Sequence, residues 1–231
     1  MEADITEVFS SIQGEGIFAG AKQVFVRFAA CNMKCHFCDE ADKAGSKVYS
    51  AGSLAAEVRS LEKAKGKHHS VSLTGGEPLL YASFLKEFIP LLKKDGHKIY
   101  LETNGTLPGA LGEVIDLVDI IAMDFKLPSA TREKPFWDAH REFLKIAAKR
   151  KVFVKAVVTH ETKGEDLEKA AELIKSAGVE VPLIIQPATP VRKADAAVKA
   201  DRLVGFLETV TSKGVVNARI VPQIHKMLGM P

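Results

Sequence analysis

Gln23-Val24-Phe25-Val26-Arg27-Phe28-Ala29 is an almost unbroken apolar run, and past Ala30 it feeds directly into Cys31-Asn32-Met33-Lys34-Cys35-His36-Phe37-Cys38-Asp39. A run this rich in β-branched and aromatic residues reads as a strand covered on both faces, as strands of parallel sheets are. Similar runs recur at 71–74, 98–103, 119–123, 152–158, 183–186 and 218–221. Between them, 53–64, 84–94, 135–149, 165–176 and 195–211 carry amphipathic helical spacing. Thr162 with Glu165 predicts a capping box, and Gly96 and Gly178 stand where helices can stop. Strand–helix alternation of this kind means βα units on a largely parallel sheet. A full eight-unit barrel takes roughly 250 residues. With 231 residues and about six units, the expected fold is α/β, a partial, open TIM-like barrel. Ligands then belong at the C-terminal ends of the strands. No repeat, low-complexity tract or linker divides the chain, so 1–231 is read as a single domain.

Composition narrows the function classes. The hydrophobic share is 46% and the charged share 26%, and a net charge of +3 is spread among acids. Charge therefore gives no support to nucleic-acid binding. No apolar run is long enough to span a membrane, and the acidic N-terminus has no signal-peptide core. All three cysteines fall within eight residues. A clustered, odd set in a chain without a secretion signal points to a reducing, cytoplasmic setting and to a metal or redox role.

Spacings of four and then three residues let one loop fold Cys31, Cys35 and Cys38 around a single cluster. A cubane iron–sulfur cluster normally takes four thiolates. Three leave one iron open, the mark of a catalytic metal site. A structural zinc site needs a fourth ligand, and His36 lies inside the loop, badly placed to supply it. A disulfide would strand one thiol.

A second constellation follows the next strand, Thr74-Gly75-Gly76-Glu77-Pro78. Paired glycines allow close backbone approach, and Glu77 offers a carboxylate to an ammonium group. CxxxCxxC one βα unit ahead of GGEP resembles the radical S-adenosylmethionine (SAM) superfamily. That resemblance implies a 4Fe–4S cluster whose open iron chelates SAM and whose electron cleaves it to methionine and a 5′-deoxyadenosyl radical.

Further matches run along nearly the whole chain. Phe9-Ser10-Ser11-Ile12-Gln13-Gly14-Glu15-Gly16, Arg27, Glu102-Thr103-Asn104-Gly105, Asp124-Phe125-Lys126-Leu127, Gln186-Pro187 and Gln223-Ile224-His225-Lys226 resemble segments of the 7-carboxy-7-deazaguanine synthases. The resemblance implies conversion of 6-carboxy-5,6,7,8-tetrahydropterin to 7-carboxy-7-deazaguanine with loss of ammonia, toward queuosine and related deazapurines. SAM would be regenerated. It also implies contacts to SAM from Phe37, Cys38, Asp39, Gly76, Glu77, Asp124, Phe125, Lys126 and Gln186. Contacts to substrate would come from Ile12, Gln13, Gly14, Glu15, Arg27, Thr74 and Pro231, the last folded back over the pterin with Gly229 as the bend. Arg27 suits a carboxylate because its planar fork grips two oxygens.

Two positions depart from the family pattern. Glu40 replaces a threonine that helps to hold Mg2+, and a carboxylate is itself a good magnesium ligand. Phe125 replaces a proline. The expected partners are the pterin, a flavodoxin-type or other low-potential reductant and a second subunit in a homodimer, with no nucleic acid and no membrane. A glycyl-radical-enzyme activase shares CxxxCxxC but leaves Gln13-Gly14-Glu15 unexplained. A non-catalytic iron–sulfur electron-transfer protein leaves Gly75-Gly76-Glu77-Pro78 unexplained.

Overall fold

The computed structural model describes residues 1–39, 45–178, 180–190 and 196–230. Among the described residues nine strands form one sheet: β1 (Glu2–Ile12), β2 (Lys22–Phe28), β3 (Lys47–Ser50), β4 (Ser70–Gly75), β5 (Ile99–Thr103), β6 (Ile120–Asp124), β7 (Lys151–Val158), β8 (Leu183–Pro187) and β9 (Ala218–Ile220). Their order is β3-β1-β2-β4-β5-β6-β7-β8-β9. From β2 to β9 every pairing is parallel. Because β3 and β9 stand at opposite ends of the order, the barrel is open.

Each parallel step is crossed by helix, as the alternation in the sequence requires. The helices are α1 (Ala51–Lys65), α2 (Ala82–Lys94), α3 (Pro108–Val114), α4 (Pro128–Thr131), α5 (Trp137–Ala147), α6 (Gly164–Ser176), α7 (Ala200–Ser212) and α8 (Ile224–Met227). The apolar faces of α1, α2, α5 and α6 bury Leu54, Phe88, Phe143 and Leu167 completely against Val26, Leu73, Met123 and Ile185 of the sheet. Burying a side chain of this size is worth roughly 1.5–3 kcal/mol, so this layer supplies most of the favourable burial.

The seven parallel strands stand where the sequence places them, and β1, β3, α3, α4 and α8 are additional. β1 escapes the period-2 pattern because its register with β2 shifts between Ile5 and Glu7. Such a bulge moves the apolar residues from one face to the other part-way along the strand. α3 carries Gly109 and Gly112 within seven residues, a composition that costs helix propensity. The expected capping box is corrected. Helix α6 starts after Lys163 without a side-chain cap, and Thr162 Oγ1 instead accepts the Thr159 N–H at 2.8 Å. Gly96, at φ +81°, does end α2.

On the concave face a smaller apolar group, Tyr100, Ile120, Ala122, Phe153 and Ile184, is covered by Ile17 and Phe18 from the β1–β2 connection. Phe18 meets Tyr100 edge-on at 5.7 Å. This plug closes the lower part of the half-barrel, and the space above it, toward the C-terminal strand ends, stays open.

Candidate active site

A cavity of about 710 Å³ opens above that plug, within the size range of small-molecule sites. One end is the cysteine loop. The backbone just past β4 holds its start: Gly76 N–H donates to the Phe28 carbonyl at 2.8 Å, and Glu77 N–H to the Ala30 carbonyl at 2.7 Å. A Cβ on Gly75 or Gly76 would run into the backbone of Phe28 or Ala30. The glycine pair is thus required for the close approach that seats the loop. Farther along, Asn32 Nδ2 donates to Thr106 Oγ1 and its Oδ1 accepts from Asn104 Nδ2. His36 N–H donates to the Thr131 carbonyl, and Lys34 N–H to Glu133 Oε1.

Held in this way, the free thiols of Cys31, Cys35 and Cys38 all line the cavity. Burial pushes the Cys35 thiol up to about 11 and also raises Cys31. Ionised thiolates there need a cationic partner, which a metal cluster supplies. Among the described residues no three His, Cys, Asp or Glu groups converge on one ion.

The other end is built from paired charges. Gly14 backs against the His225 ring, and Gly16, at φ +66°, backs against Phe153. Between them the Gln13 and Glu15 side chains are drawn into a network. Gln13 Nε2 donates to Gln23 Oε1 and Glu102 Oε1 at 3.1 and 3.0 Å, and Glu15 N–H donates to Gln13 Oε1. Ser72 Oγ donates to Glu102 Oε1 at 2.8 Å. Lys155 from β7 salt-bridges Glu15 and lies 3.7 Å from Asp124 Oδ2, which Lys126 holds at 2.8 Å. Burial alone would raise the Glu15 carboxyl, but the charge and hydrogen bond of Lys155, with Gln223 and His225, hold it at about 2. Lys126 and Lys155 are held fully protonated against burial by the carboxylates they face.

Of the residues singled out from the sequence, Ile12, Gln13, Gly14, Glu15, Arg27, Thr74, Gly76, Phe37, Cys38, Asp39, Asp124, Lys126 and Gln186 all line this cavity. Arg27 Nε pairs with Glu7 Oε2 at 2.8 Å, and its guanidinium lies over the Phe9 ring.

Two of the expected positions lie off the cavity wall. Phe125 follows Asp124 on an extended backbone, so its side chain takes the opposite face; it is fully buried in the core and stacked on His140 at 4.9 Å. Glu77 is fully buried, off the cavity wall. Its carboxylate accepts from Leu79 N–H, Thr103 Oγ1 and Asn104 N–H, so it steadies Thr103 and Asn104, which do line the cavity. Burial lifts Glu77 to about 7 despite those three donors. Glu40 and Pro231 lie outside the described residues.

Lys155, Glu102, Gln223 and His225 also line the cavity, and sequence reasoning gave them no role. A lysine inside the apolar run VFVKAVV was the available signal, because charges are rarely buried without a partner.

The wall also holds polar atoms that the protein itself leaves unsatisfied. Asp124 Oδ1, Gln186 Oε1 and His225 Nδ1 are buried without a hydrogen-bond partner. Native proteins carry few such atoms; Asp124 and Gln186 stand on the cavity wall, where a bound molecule can complete them, while His225 turns its Nδ1 against Gly14. Three thiols on one side and unfilled acceptors on the other fit a cluster with a polar, cationic ligand beside it.

The Radical SAM superfamily matches residues 25–174. The 7-carboxy-7-deazaguanine synthase of Geobacter sulfurreducens is 38% identical over 98% of this chain and 97% of its own length. That of Methanothermobacter thermautotrophicus is 35% identical over 100% and 98%. In structure the chain is similar to QueE from Escherichia coli, with a TM-score of 0.66 at 22% identity, covering 96% of this chain and 94% of that one. A full-length match at this identity, carried on a cavity with three free thiols at one end, places the chain in the radical SAM superfamily and, within it, in the 7-carboxy-7-deazaguanine synthase family.

Proposed function

We propose that this protein converts 6-carboxy-5,6,7,8-tetrahydropterin to 7-carboxy-7-deazaguanine with loss of ammonia, on the route to queuosine and related deazapurines. One observation carries the reading. The three thiols of the Cys31–Cys38 loop and the Gln13-Gly14-Glu15 segment, which belong to different loops, line one cavity. Membership of the superfamily implies a 4Fe–4S cluster and SAM, which together supply a hydrogen-abstracting radical.

The chain's own residues then divide into two tasks. Cys31, Cys35 and Cys38 hold the cluster, and Phe37, Asp39, Gly76, Asp124, Lys126 and Gln186 surround the adjoining space for SAM. Asp124 Oδ1 and Gln186 Oε1 enter that space as acceptors without partners, suited to ammonium and hydroxyl donors. Ile12, Gln13, Gly14, Glu15, Arg27 and Thr74 form the pterin end. There Gln13 acts chiefly by aiming Glu102, because both of its amide N–H groups are already engaged. Magnesium belongs to Glu40 in this reading, and Pro231 closes over the substrate.

We further propose that residues 1–231 act as one domain, since all nine strands share one sheet. The working form is a cytoplasmic homodimer supplied by a flavodoxin-type or other low-potential reductant. Among the described residues no helix is long and apolar enough to cross a membrane.

The test is anaerobic incubation of the reconstituted protein with SAM, a reductant and the carboxypterin. Formation of 7-carboxy-7-deazaguanine and ammonia is expected. An unchanged pterin in the presence of an intact cluster would overturn the assignment.

A further inference from the structure

Lys155 lies within β7, where the neighbouring Val154 and Ala156 are completely buried, and its own side chain is 13% exposed. An isolated buried ammonium is costly, so such a lysine needs partners. It faces carboxylates from three elements: Glu15 from the β1–β2 connection, Asp124 from β6 and Glu102 from β5. The two it lies closest to are not equivalent. Asp124 has Lys126 at 2.8 Å and Lys155 only at 3.7 Å. Glu15 is salt-bridged to Lys155, its other oxygen accepts from Gln223 Nε2 at 2.7 Å, and His225 adds a weaker favourable field.

Glu15 is also a junction. Its N–H donates to Gln13 Oε1, and next to it the Gly14 carbonyl accepts the Ile224 N–H at 2.9 Å. Gln223 Oε1 in turn accepts from Thr189 N–H, ahead of α8. The Glu15 side chain therefore connects the segment after β1 to the approach of α8, across more than two hundred residues of sequence.

We infer that Lys155 is a positioning residue for the pterin end: by clamping Glu15 it holds residues 12–15 and 223–226 in register, while Lys126 keeps Asp124 in place at the SAM end. The inference rests on the assignment of residues 12–15 to the substrate. Without Lys155 only the Gln223 hydrogen bond and the weaker field of His225 oppose the burial of Glu15, so its carboxyl rises and the junction loosens.

The test compares Lys155→Met and Lys155→Arg with the parent in two ways. In cluster-loaded, SAM-bound protein without reductant, calorimetry should show carboxypterin bound at least about tenfold more weakly by Lys155→Met, a loss of about 1.4 kcal/mol. Lys155→Arg should stay within about threefold, because it keeps the charge, and SAM affinity should stay within about threefold in all three. In metal-free protein with 13C-labelled glutamate, the Glu15 carboxyl should titrate above pH 4.5 in Lys155→Met and below it in the parent and in Lys155→Arg. Should Lys155→Met fail to fold, the Glu15→Gln/Lys155→Met double variant removes both charges, and it should show the same loss of pterin affinity. Pterin binding at parental strength in whichever of these variants folds would overturn the inference, as would an equal loss of SAM affinity. If the parent itself binds no carboxypterin, the functional assignment fails, and the Glu15 titration still decides the role of Lys155.

Discussion

Glu15, mostly buried, and Glu77, fully buried, stand at opposite ends of one site, and their proton affinities are pushed in opposite directions. Burial raises both, yet Glu15 is held at about 2 and Glu77 rises to about 7. Glu15 has an ammonium in contact. Glu77 has two backbone N–H donors and a hydroxyl, all neutral, with Lys126 a minor influence. A paired cation, not the number of hydrogen bonds, decides which carboxyl stays ionised. The contrast extends to construction. The cysteine end is assembled by backbone contacts and glycines, and the end proposed for the pterin by ion pairs between distant elements.

The largest effect is expected at the cluster end. Cys35→Ala removes a thiolate that a three-ligand cluster cannot spare. Iron content should fall sharply, and reductive cleavage of SAM should drop below detection. Full cleavage in that variant would end the cluster assignment.

Gly76→Ala comes next, because the new methyl collides with the Ala30 backbone. Forcing atoms into a packed site costs about 1–3 kcal/mol, and here the cost falls on the loop that carries the cysteines. Cluster loading and SAM affinity should both fall by about tenfold or more, while a free-thiol count stays at three. Normal loading would show that the loop does not depend on this seat.

The two glutamates should give opposite pH dependences of stability in the metal-free protein, read as thermal midpoints of the parent against Glu15→Gln and Glu77→Gln. The Glu15 carboxyl is depressed, so its stabilisation is present above the unfolded value of 4.5 and is lost as pH falls from there through 2. The Glu77 carboxyl is elevated, so its contribution is intact below 4.5 and is lost as pH rises from there through 7. Each swing should be on the order of 3 kcal/mol. Parallel slopes in the two variants would break the comparison.

The smallest effect is expected where the two ends meet at the surface. Lys226 of α8 salt-bridges Asp39 of the cysteine loop, and both side chains are substantially exposed. Exposed pairs contribute about 0–1 kcal/mol, so Lys226→Met should change stability only within that range. A larger loss would mean that α8 is a structural strap.

The same contrast explains what was legible in the sequence. The cluster end lies in two short segments, Cys31 to Asp39 and Thr74 to Pro78, whose chemistry depends on local spacing and on glycines. The continuous apolar strands were equally plain, because both faces of a parallel sheet are covered. The pterin end was half visible. Gln13, Glu15 and Arg27 stood out, but Lys155 and Gln223, which hold Glu15, come from β7 and from the segment before α8. No local pattern announces pairings at that separation. The resemblance assigned Phe125 and Glu77 to SAM, while the structure buries Phe125 in the core against His140 and holds the Glu77 carboxylate on Thr103 and Asn104. The first strand was hidden by the register shift after Ile5.

The central claim is that both ends of the cavity act on one reaction, with the pterin and SAM held against each other. Carboxypterin deuterated at C6 tests it directly under anaerobic turnover. Deuterium recovered in SAM alongside unlabelled 7-carboxy-7-deazaguanine is the result expected of the proposed reaction, in which the C6 hydrogen would be abstracted and SAM regenerated. Accumulation of unlabelled 5′-deoxyadenosine beside fully deuterated pterin would contradict it.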